Sequence, residues 1–474
     1  GGEAAAAERR RLRAAARLRR RRRGVQVMAA ILRNPASPFL PVALLDDDPD
    51  KRNLRINGIP VVGSRTALPW AAEHYRADAL LIAIPSADAT LVTELTQLAI
   101  EAGLPTKVLP PVAELFDSQV RVGDIRDVTT ADLLGRREVE TDLASVADYL
   151  TGRRVLVTGA GGSIGSELCR QIYRFAPSEL VMVDRDESAL HALELSLEGR
   201  ALLESPDLVL LDIRDRVAVD RLLAERRPQV VFHAAALKHL PILERHPEEA
   251  VKTNVWATLD LLEAAARQGV ERFVNISTDK AADPTSVLGY SKRVAERLTA
   301  HVATKSGRPF LSVRFGNVLG SRGSVLTTFQ AQIDQGGPLT ITHPDVTRYF
   351  MTVEEAVQLV IQAGAIGEPG EVLVLDMGRP VRIVEIARLL AAAGERATSF
   401  QFTGLRPGEK LHEALLGTDE VDRRPAHPLI SPVDVPPLDP AAVRGIDGPG
   451  GAQWTARQLS ELCAAHRELA GKQR

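Results

Sequence analysis

The sequence predicts an α/β protein of two parallel-sheet domains with helices on their faces. Three observations predict it. Short apolar runs alternate with segments of helical composition along most of the chain, the pattern of a covered parallel sheet. The 474 residues are about three times a typical domain of ~150 residues, so one sheet is too small to hold them. A loop with glycines three apart, Gly159, Gly162 and Gly165, stands between one apolar run and a helix-like segment.

Composition narrows the class further. Lys and Arg total 59 against 61 Asp and Glu, and 45% of residues are apolar, so the chain as a whole is not disordered. No apolar run reaches the ~18 residues that span a bilayer, and no secretory signal is expected from the Arg-rich start, which no apolar core follows. Two cysteines, Cys169 and Cys463, exclude a disulfide scaffold and a zinc cluster, so no metal site is expected. They suit a reducing compartment, and a cytoplasmic location is expected. Residues 1–23 hold ten Arg against Glu3 and Glu8. Ala and Arg favour helix but build no apolar face, so residues 1–24 read as a solvated, frayed or disordered segment. Such a polybasic stretch also suits an anionic membrane surface. Nucleic acid is not expected as a partner, because the rest of the chain is acidic and lacks interleaved aromatics.

Residues 25–145 form the first unit. FLPVALLDDDP (39–49), the run 58–63, ADALLIAIPSA (77–87) and LPTKVLPP (104–111) read as strands, with helical spacing over 88–102. No glycine loop follows its first strand, so this Rossmann-like unit is degenerate and a dinucleotide is not expected in it. The second unit spans 146–416. VLVTG (155–159), ELVMVD (179–184), LVLLDI (208–213), QVVFHAAA (229–236), RFVNIST (272–278) and FLSVRFGNV (310–318) give it the doubly wound, Rossmann-like pattern. Residues 319–416 are expected to cap the sheet's carboxyl edge. Residues 417–474 read as a Pro/Gly-rich wrapping tail with a helix near 453–468.

The glycine loop carries the first chemistry. Gly159 permits the turn, Gly162 lets a phosphate approach, and Gly165 lets helix pack on strand. With Ser163 and Ile164 they present a helix N-terminus to a pyrophosphate. Asp184 ends the next strand 19 residues beyond Gly165, where an acid bonds the ribose hydroxyls and favours NAD over NADP. Arg185 beside it could attract a 2′-phosphate. Asp212 and Ile213 end the third strand near the adenine, and Ala234 and Ala235 follow the fourth.

Thr278, Asp279 and Lys280 follow the strand RFVNI, at the edge where doubly wound folds bind ligands. A carboxylate and an amine side by side offer an acid and a base at one point; a surface Asp–Lys turn has the same sequence. Lys292 lies on a helix beginning near Ser286. One turn before Lys292, position 288 is Leu, which has no hydroxyl to exchange a proton. Tyr290 lies about 200° around the axis and points away.

These matches, TGAGGSIGSEL (158–168), HAAALKHLP (233–241), ISTDKAADPTSVLGYSKRVAE (276–296), RFGNVLGSRGSV (314–325), TRYFMT (347–352) and GLRPGEKLHE (404–413), resemble the extended short-chain dehydrogenase/reductase family. More closely, the chain is similar to the long nucleoside-diphosphate-sugar 4,6-dehydratases of bacterial polysaccharide biosynthesis, typified by UDP-N-acetylglucosamine 4,6-dehydratase. DLLGR (132–136) fits as well, and the likeness covers roughly residues 40–416.

The resemblance implies a fold with a small substrate-binding cap, a recycled NAD and a UDP-N-acetylhexosamine substrate. Hydride leaves C4, Lys280 takes the C5 proton, Asp279 protonates the departing C6 hydroxyl, and hydride returns to C6. Thr278 holds O4 and, with Lys292 or a water, manages its proton. Lys292 also contacts the nicotinamide ribose. Lys238, His239, Asn317, Arg348 and Arg406 are implied substrate contacts, and Asn254 a structural support. Long members commonly carry Met for the dehydrogenase Tyr, and Leu288 is a further apolar replacement. Long members usually also carry membrane helices and a first-domain glycine loop and are anchored at the inner membrane face; neither feature is legible in residues 1–24, which stand where they fall. Self-association is expected for this fold. A 4-epimerase and a non-catalytic NAD-binding scaffold are the alternatives.

Overall fold

The computed structural model describes residues 12–17, 28–29, 31–34, 37–84, 89–109, 125–128, 132, 143–200, 202–393, 399–422, 427–446 and 450–471. The chain divides into two compact units, residues 1–138 with 387–398, and 139–386 with 399–474.

The first unit is built on a seven-stranded sheet. Its strands are β1 (Leu12–Arg17), β2 (Phe39–Leu45), β3 (Arg55–Ile56), β4 (Ile59–Gly63), β5 (Ala79–Ile82), β6 (Thr106–Val108) and β7 (Arg126–Asp127), in spatial order β3-β4-β2-β1-β5-β6-β7. Helices α1 (Leu68–Tyr75) and α2 (Ala89–Glu101) complete it. Leu45, Leu80, Ile82 and Leu95 are wholly buried in its core.

The Arg/Ala-rich start departs from expectation. Leu12–Arg17 is not a frayed helix but the central strand, paired in parallel with both β2 and β5. Pairing on two edges satisfies its backbone groups, and this tertiary gain overrides the modest helical preference of Ala and Arg. The remainder of residues 1–24 lies outside the described residues.

The second unit begins with α3 (Leu143–Leu150) and carries an eight-stranded sheet. In chain order its strands are β8 (Arg154–Thr158), β9 (Glu179–Asp184), β10 (Leu208–Leu210), β11 (Val230–His233), β12 (Arg272–Ile276), β13 (Phe310–Arg314), β18 (Val372–Leu375) and β21 (Ile430–Val433). The spatial order is β10-β9-β8-β11-β12-β13-β18-β21, parallel except for β21. Strand order reverses between β8 and β11, which opens a crevice at their carboxyl ends.

Two expected segments join this sheet instead of lying outside it. Residues 372–375, read as cap, are its seventh strand, and residues 430–433, read as tail, are its antiparallel edge. Both are short apolar runs whose partners lie far away in sequence, so periodicity alone does not reveal them. The cap region proper holds β14 (Asn317–Val318), β15 (Leu339–Ile341), β16 (Thr347–Arg348), β17 (Phe350–Met351), β19 (Val381–Arg382) and β20 (Phe400–Phe402), in three two-stranded ladders.

Helices α4 (Ser163–Tyr173), α5 (Glu187–Glu198), α6 (Arg216–Arg226), α7 (Leu240–Arg245), α8 (Ala257–Arg267), α9 (Val287–Ser306), α10 (Val325–Asp334), α11 (Val353–Ile366) and α12 (Gly451–Gly471) complete the unit. The Ser286 hydroxyl accepts from Gly289 N to cap α9, and Gly307, left-handed at φ 65°, ends it. The buried face of α9, Val294, Leu298 and Val302, shares a core with Leu459 of α12. Among the described residues no helix is long and apolar enough to cross a membrane.

Candidate active site

Gly159 leaves β8 at φ 66°, in the left-handed region. A Cβ there would lie 2.6 Å from Ala235 N, and one at Gly165 would lie 2.0 Å from Gly159 O. No side chain fits at either point. Helix α4 opens at Gly162 without a side-chain cap, leaving its first N–H groups for an anion. This cradle fits a dinucleotide pyrophosphate. One cleft gathers Gly159, Gly162, Asp184, Arg185, Asp212, Ile213, Ala234 and Ala235, all expected to face the cofactor.

The structure adds Gly161, which sequence reading passed over. Its N–H donates to Asp184 Oδ2 at 2.8 Å, while Asp186 N donates to Oδ1 at 3.0 Å, so the carboxylate is held at the cleft. Arg185 reaches to 3.9 Å from Asp212 Oδ2. Asp212 is held below the usual carboxylate range, chiefly by its hydrogen bonds from Arg214. Deeper in, His233 Nδ1 meets Thr158 Oγ1 at 2.7 Å and Nε2 meets Thr258 Oγ1 at 2.9 Å. Burial, with Lys292 nearby, lowers the imidazole pKa to about 3, so this histidine stays neutral and ties three elements together.

Asp279 and Lys280 form a short 3-10 turn directly after β12, with Thr278 as its cap. Asp279 is fully buried. Its Oδ1 accepts from Thr278 Oγ1 at 3.0 Å and from Lys280 Nζ at 2.9 Å, and its Oδ2 has no hydrogen-bond partner. Lys280 Nζ also donates to Asn317 Oδ1 at 3.3 Å. Acid, base and hydroxyl thus meet at one point on the sheet's carboxyl edge. A Cβ at Gly316 would lie 3.0 Å from Asp279 Oδ2 and 3.1 Å from Tyr349 Cβ, so this glycine leaves room for the carboxylate.

Lys292 Nζ donates to Ile276 O at 2.8 Å. Burial lowers its pKa to about 8, against a smaller opposing effect of Glu296. Leu288 is buried in the core, and Tyr290 packs on the cluster that holds Leu462 and Cys463 of α12. Asn254, in a π-helical turn (Val251–Trp256), bonds the Leu237 backbone through both side-chain atoms and donates to Ser291 Oγ at 3.1 Å.

The expected substrate residues are dispersed. Lys238 Nζ donates to Arg322 O at 2.9 Å, and a Cβ at Gly323 would lie 2.8 Å from the His239 ring. Arg322 N in turn donates to Ser163 Oγ at 3.1 Å, so residues 322–323 join Lys238 and His239 to the glycine loop. Asn317 touches Lys280 of the Asp279–Lys280 pair. Arg348 is buried and held by Glu409 Oε1 at 2.8 Å, whereas Arg406 is exposed and meets Glu409 through its backbone, its N–H donating to Oε2 and its carbonyl accepting from Glu409 N.

Two features escaped sequence reading. The first is Glu413, whose Oε1 lies 4.0 Å from Lys280 Nζ and whose Oε2 lies 3.9 Å from Lys410 Nζ. The second is a buried ion cluster in which Arg314 meets Glu296 Oε2 at 2.8 Å and Glu420 Oε2 at 2.7 Å. Burial alone would lower Arg314; the two carboxylates outweigh it and hold the guanidinium charged. The available signal for Glu413 was its place in GLRPGEKLHE, three residues past Lys410.

A doubly wound sheet with a glycine cradle at its switch point, and an Asp–Lys pair two strands from β8, is a Rossmann-type α/β fold similar to that of short-chain epimerases and dehydratases. The chain belongs to the polysaccharide biosynthesis protein family, whose profile matches residues 155–434; residues 4–108 match the CoA-binding domain family. It is 42% identical to the probable polysaccharide biosynthesis protein EpsC of Bacillus subtilis, over 86% of this chain and 69% of that one. It is 35% identical to a UDP-glucose 4-epimerase of Rickettsia rickettsii, over 57% of this chain and 79% of that one. Among solved structures, Pen from Bacillus thuringiensis matches at TM-score 0.55 and 29% identity, over 61% of this chain and 88% of that one. DesIV of Streptomyces venezuelae, a dTDP-glucose 4,6-dehydratase solved with NAD bound, matches in fold at TM-score 0.50 and 24% identity, over 56% and 88% of the two chains.

Proposed function

We propose that this chain is an NAD-dependent 4,6-dehydratase of a UDP-N-acetylhexosamine, UDP-N-acetylglucosamine first among them, serving polysaccharide biosynthesis. The observation that carries the reading is the buried Asp279–Lys280 contact at 2.9 Å, an acid and a base at one point. Gly159, Gly162, Ser163, Ile164 and Gly165 hold the pyrophosphate, and Asp184 takes the ribose hydroxyls. The held Asp184, with Arg185 drawn toward Asp212, supports NAD over NADP. When bound, the nicotinamide supplies a hydride acceptor for C4 and a hydride donor for C6.

The chain's own residues move the protons. Oxidation at C4 releases the O4 proton, and Thr278 Oγ1, 3.0 Å from Asp279 Oδ1, relays it to Asp279. Lys280 removes the C5 proton, which the new ketone acidifies. Asp279 passes its proton to O6 as the C6–O bond breaks, so the water that leaves carries the former O4 proton. Lys280 then returns a proton to C5. Lys292 shares the handling of O4, and its pKa near 8 suits transfer close to neutral pH. Lys238, His239, Asn317, Arg348 and Arg406 are the proposed sugar-nucleotide contacts.

The 4-epimerase reading is favoured by the likeness to the Rickettsia rickettsii enzyme. Epimerisation needs neither a C5 base nor a C6 acid, which leaves the Asp–Lys pair without a task. Incubation with UDP-N-acetylglucosamine in deuterated water separates the two. Loss of water with one deuteron at C5 is the expected result. A C4 epimer without water loss would replace dehydration with epimerisation. Lys280→Ala should keep NAD bound but stop C5 exchange; undiminished exchange would remove Lys280 from the role.

A further inference from the structure

The Asp279–Lys280 pair leaves a proton-counting difficulty. In its ion-paired form Lys280 already carries a proton and cannot take one from C5. Asp279 receives the O4 proton first, so it cannot relieve the lysine. When the O4 proton travels by the Thr278–Asp279 relay, a third group must hold one proton during the elimination.

Glu413 is the group in place. Its side chain is 2% exposed, its Oε1 lies 4.0 Å from Lys280 Nζ, and its Oε2 is buried without a hydrogen-bond partner. Lys280, Asp279, Arg348 and Lys410 are the charged groups that act on it. Arg348 is held by Glu409, and Lys410 Nζ, 3.9 Å from Glu413 Oε2, makes its hydrogen bond to Ala282 O at 2.8 Å instead. Burial, reinforced by the nearby Asp279 charge, raises the Glu413 carboxyl above its ordinary range although Lys280, Arg348 and Lys410 oppose this.

We infer that Glu413 is a proton store that acts through Lys280, taking the ammonium proton when Asp279 is protonated and returning it after the sugar is reduced. The inference rests on the dehydratase reading. The cycle balances. Arrival of the O4 proton at Asp279 neutralises the carboxylate and loosens its hold on Lys280. The amine swings about one ångström toward Glu413 and gives up a proton to it. Neutral Lys280 then takes the C5 proton while the C5–H electron pair forms the C5–C6 double bond, and hydroxide leaves with the Asp279 proton as water. As hydride reaches C6, the Lys280 proton returns to C5. Glu413 reprotonates Lys280, and the starting charges are restored.

The test compares wild type with Glu413→Gln and Glu413→Asp, each loaded with NAD and UDP-N-acetylglucosamine, following reduced-nicotinamide absorbance and C5 exchange from pH 6 to 10. Glu413→Gln keeps the size and removes the proton acceptor. Its absorbance should rise as in wild type, showing a folded protein that oxidises C4. Its C5 exchange should fall about 10²–10⁴-fold at neutral pH. The deficit should then shrink by about tenfold per pH unit as solvent base takes over the deprotonation of Lys280. Glu413→Asp should restore most of the exchange. Exchange in Glu413→Gln within twofold of wild type would overturn the inference, as would a loss that does not change with pH, the mark of a merely structural role. Absence of exchange in wild type would overturn the dehydratase reading and this inference with it.

Discussion

The Ser277 hydroxyl donates to Glu296 Oε1 at 2.6 Å, fastening the end of β12 to the helix behind it. The same carboxylate accepts from Arg314 on the neighbouring strand, and Arg314 continues to Glu420. The turn that bears Thr278, Asp279 and Lys280 therefore stands on a buried ion cluster. A buried ion pair adds little net stability because desolvation offsets the attraction, whereas removing one partner leaves a costly orphaned charge.

Glu296→Gln should accordingly destabilise the protein by about 3–5 kcal/mol, because it strips Arg314 of a buried partner. Ser277→Ala should cost only about 1 kcal/mol, the net worth of one hydrogen bond. Urea midpoints read both. Equal losses in the two variants would show that Arg314 does not depend on Glu296.

Acid should loosen the second unit in two windows. Burial would raise Glu420, but Arg314 outweighs it and lowers the pKa to about 2. A depressed carboxyl contributes fully above its ordinary value of 4.5 and loses that contribution as pH falls through about 2. His233, lowered to about 3 by burial, takes up a proton on unfolding once pH drops below 6.5, so stability declines from there as well. Glu420→Gln should flatten the stability profile between pH 4.5 and 2 while leaving the decline that begins near 6.5. An unchanged acid limb in that variant would remove Glu420 from the account.

Gly316→Ala should lower turnover by about 10–100-fold with NAD binding retained. The added methyl meets Asp279 Oδ2 at 3.0 Å, Tyr349 Cβ at 3.1 Å and Met377 Cε at 3.3 Å, so the carboxylate must shift. Calorimetric NAD affinity and turnover distinguish this from unfolding. Turnover within twofold of wild type would mean that the surroundings yield.

Asp184→Ala should weaken NAD by about 10–100-fold, the loss of charge-assisted hydrogen bonds to ribose. It also frees Gly161 N–H from its acceptor and leaves Arg185 beside the cleft. The NADP-to-NAD affinity ratio should rise, as titration calorimetry would record. A ratio that stays constant would deny Asp184 a part in cofactor choice.

The α/β class was legible because most of the longer strands are short apolar runs, and so was the glycine cradle, whose glycines fall within one seven-residue loop. β1 was not legible, because Ala and Arg carry no strand signal and only pairing with β2 and β5 selects that conformation. Residues 372–375 and 430–433 escaped for the same reason: their place depends on partners far off in sequence. At the site, Thr278, Asp279, Lys280 and Lys292 were legible as a motif. Glu413 and Glu420 were not, since nothing local distinguishes a carboxylate buried against Lys280 or Arg314 from a solvated one.

The ties from Lys238 to Arg322 and from Arg322 to Ser163 bear on how such a protein sits within metabolism. They fasten the loop that follows β14 to the turn proposed to grip the dinucleotide. Under the proposed reaction departure of the dinucleotide is never required, because each turnover restores the oxidised form. The dinucleotide then behaves as a resident part, present when the protein is purified. The rate is insulated from swings in the cell's ratio of reduced to oxidised nicotinamide and answers only to the supply of sugar nucleotide.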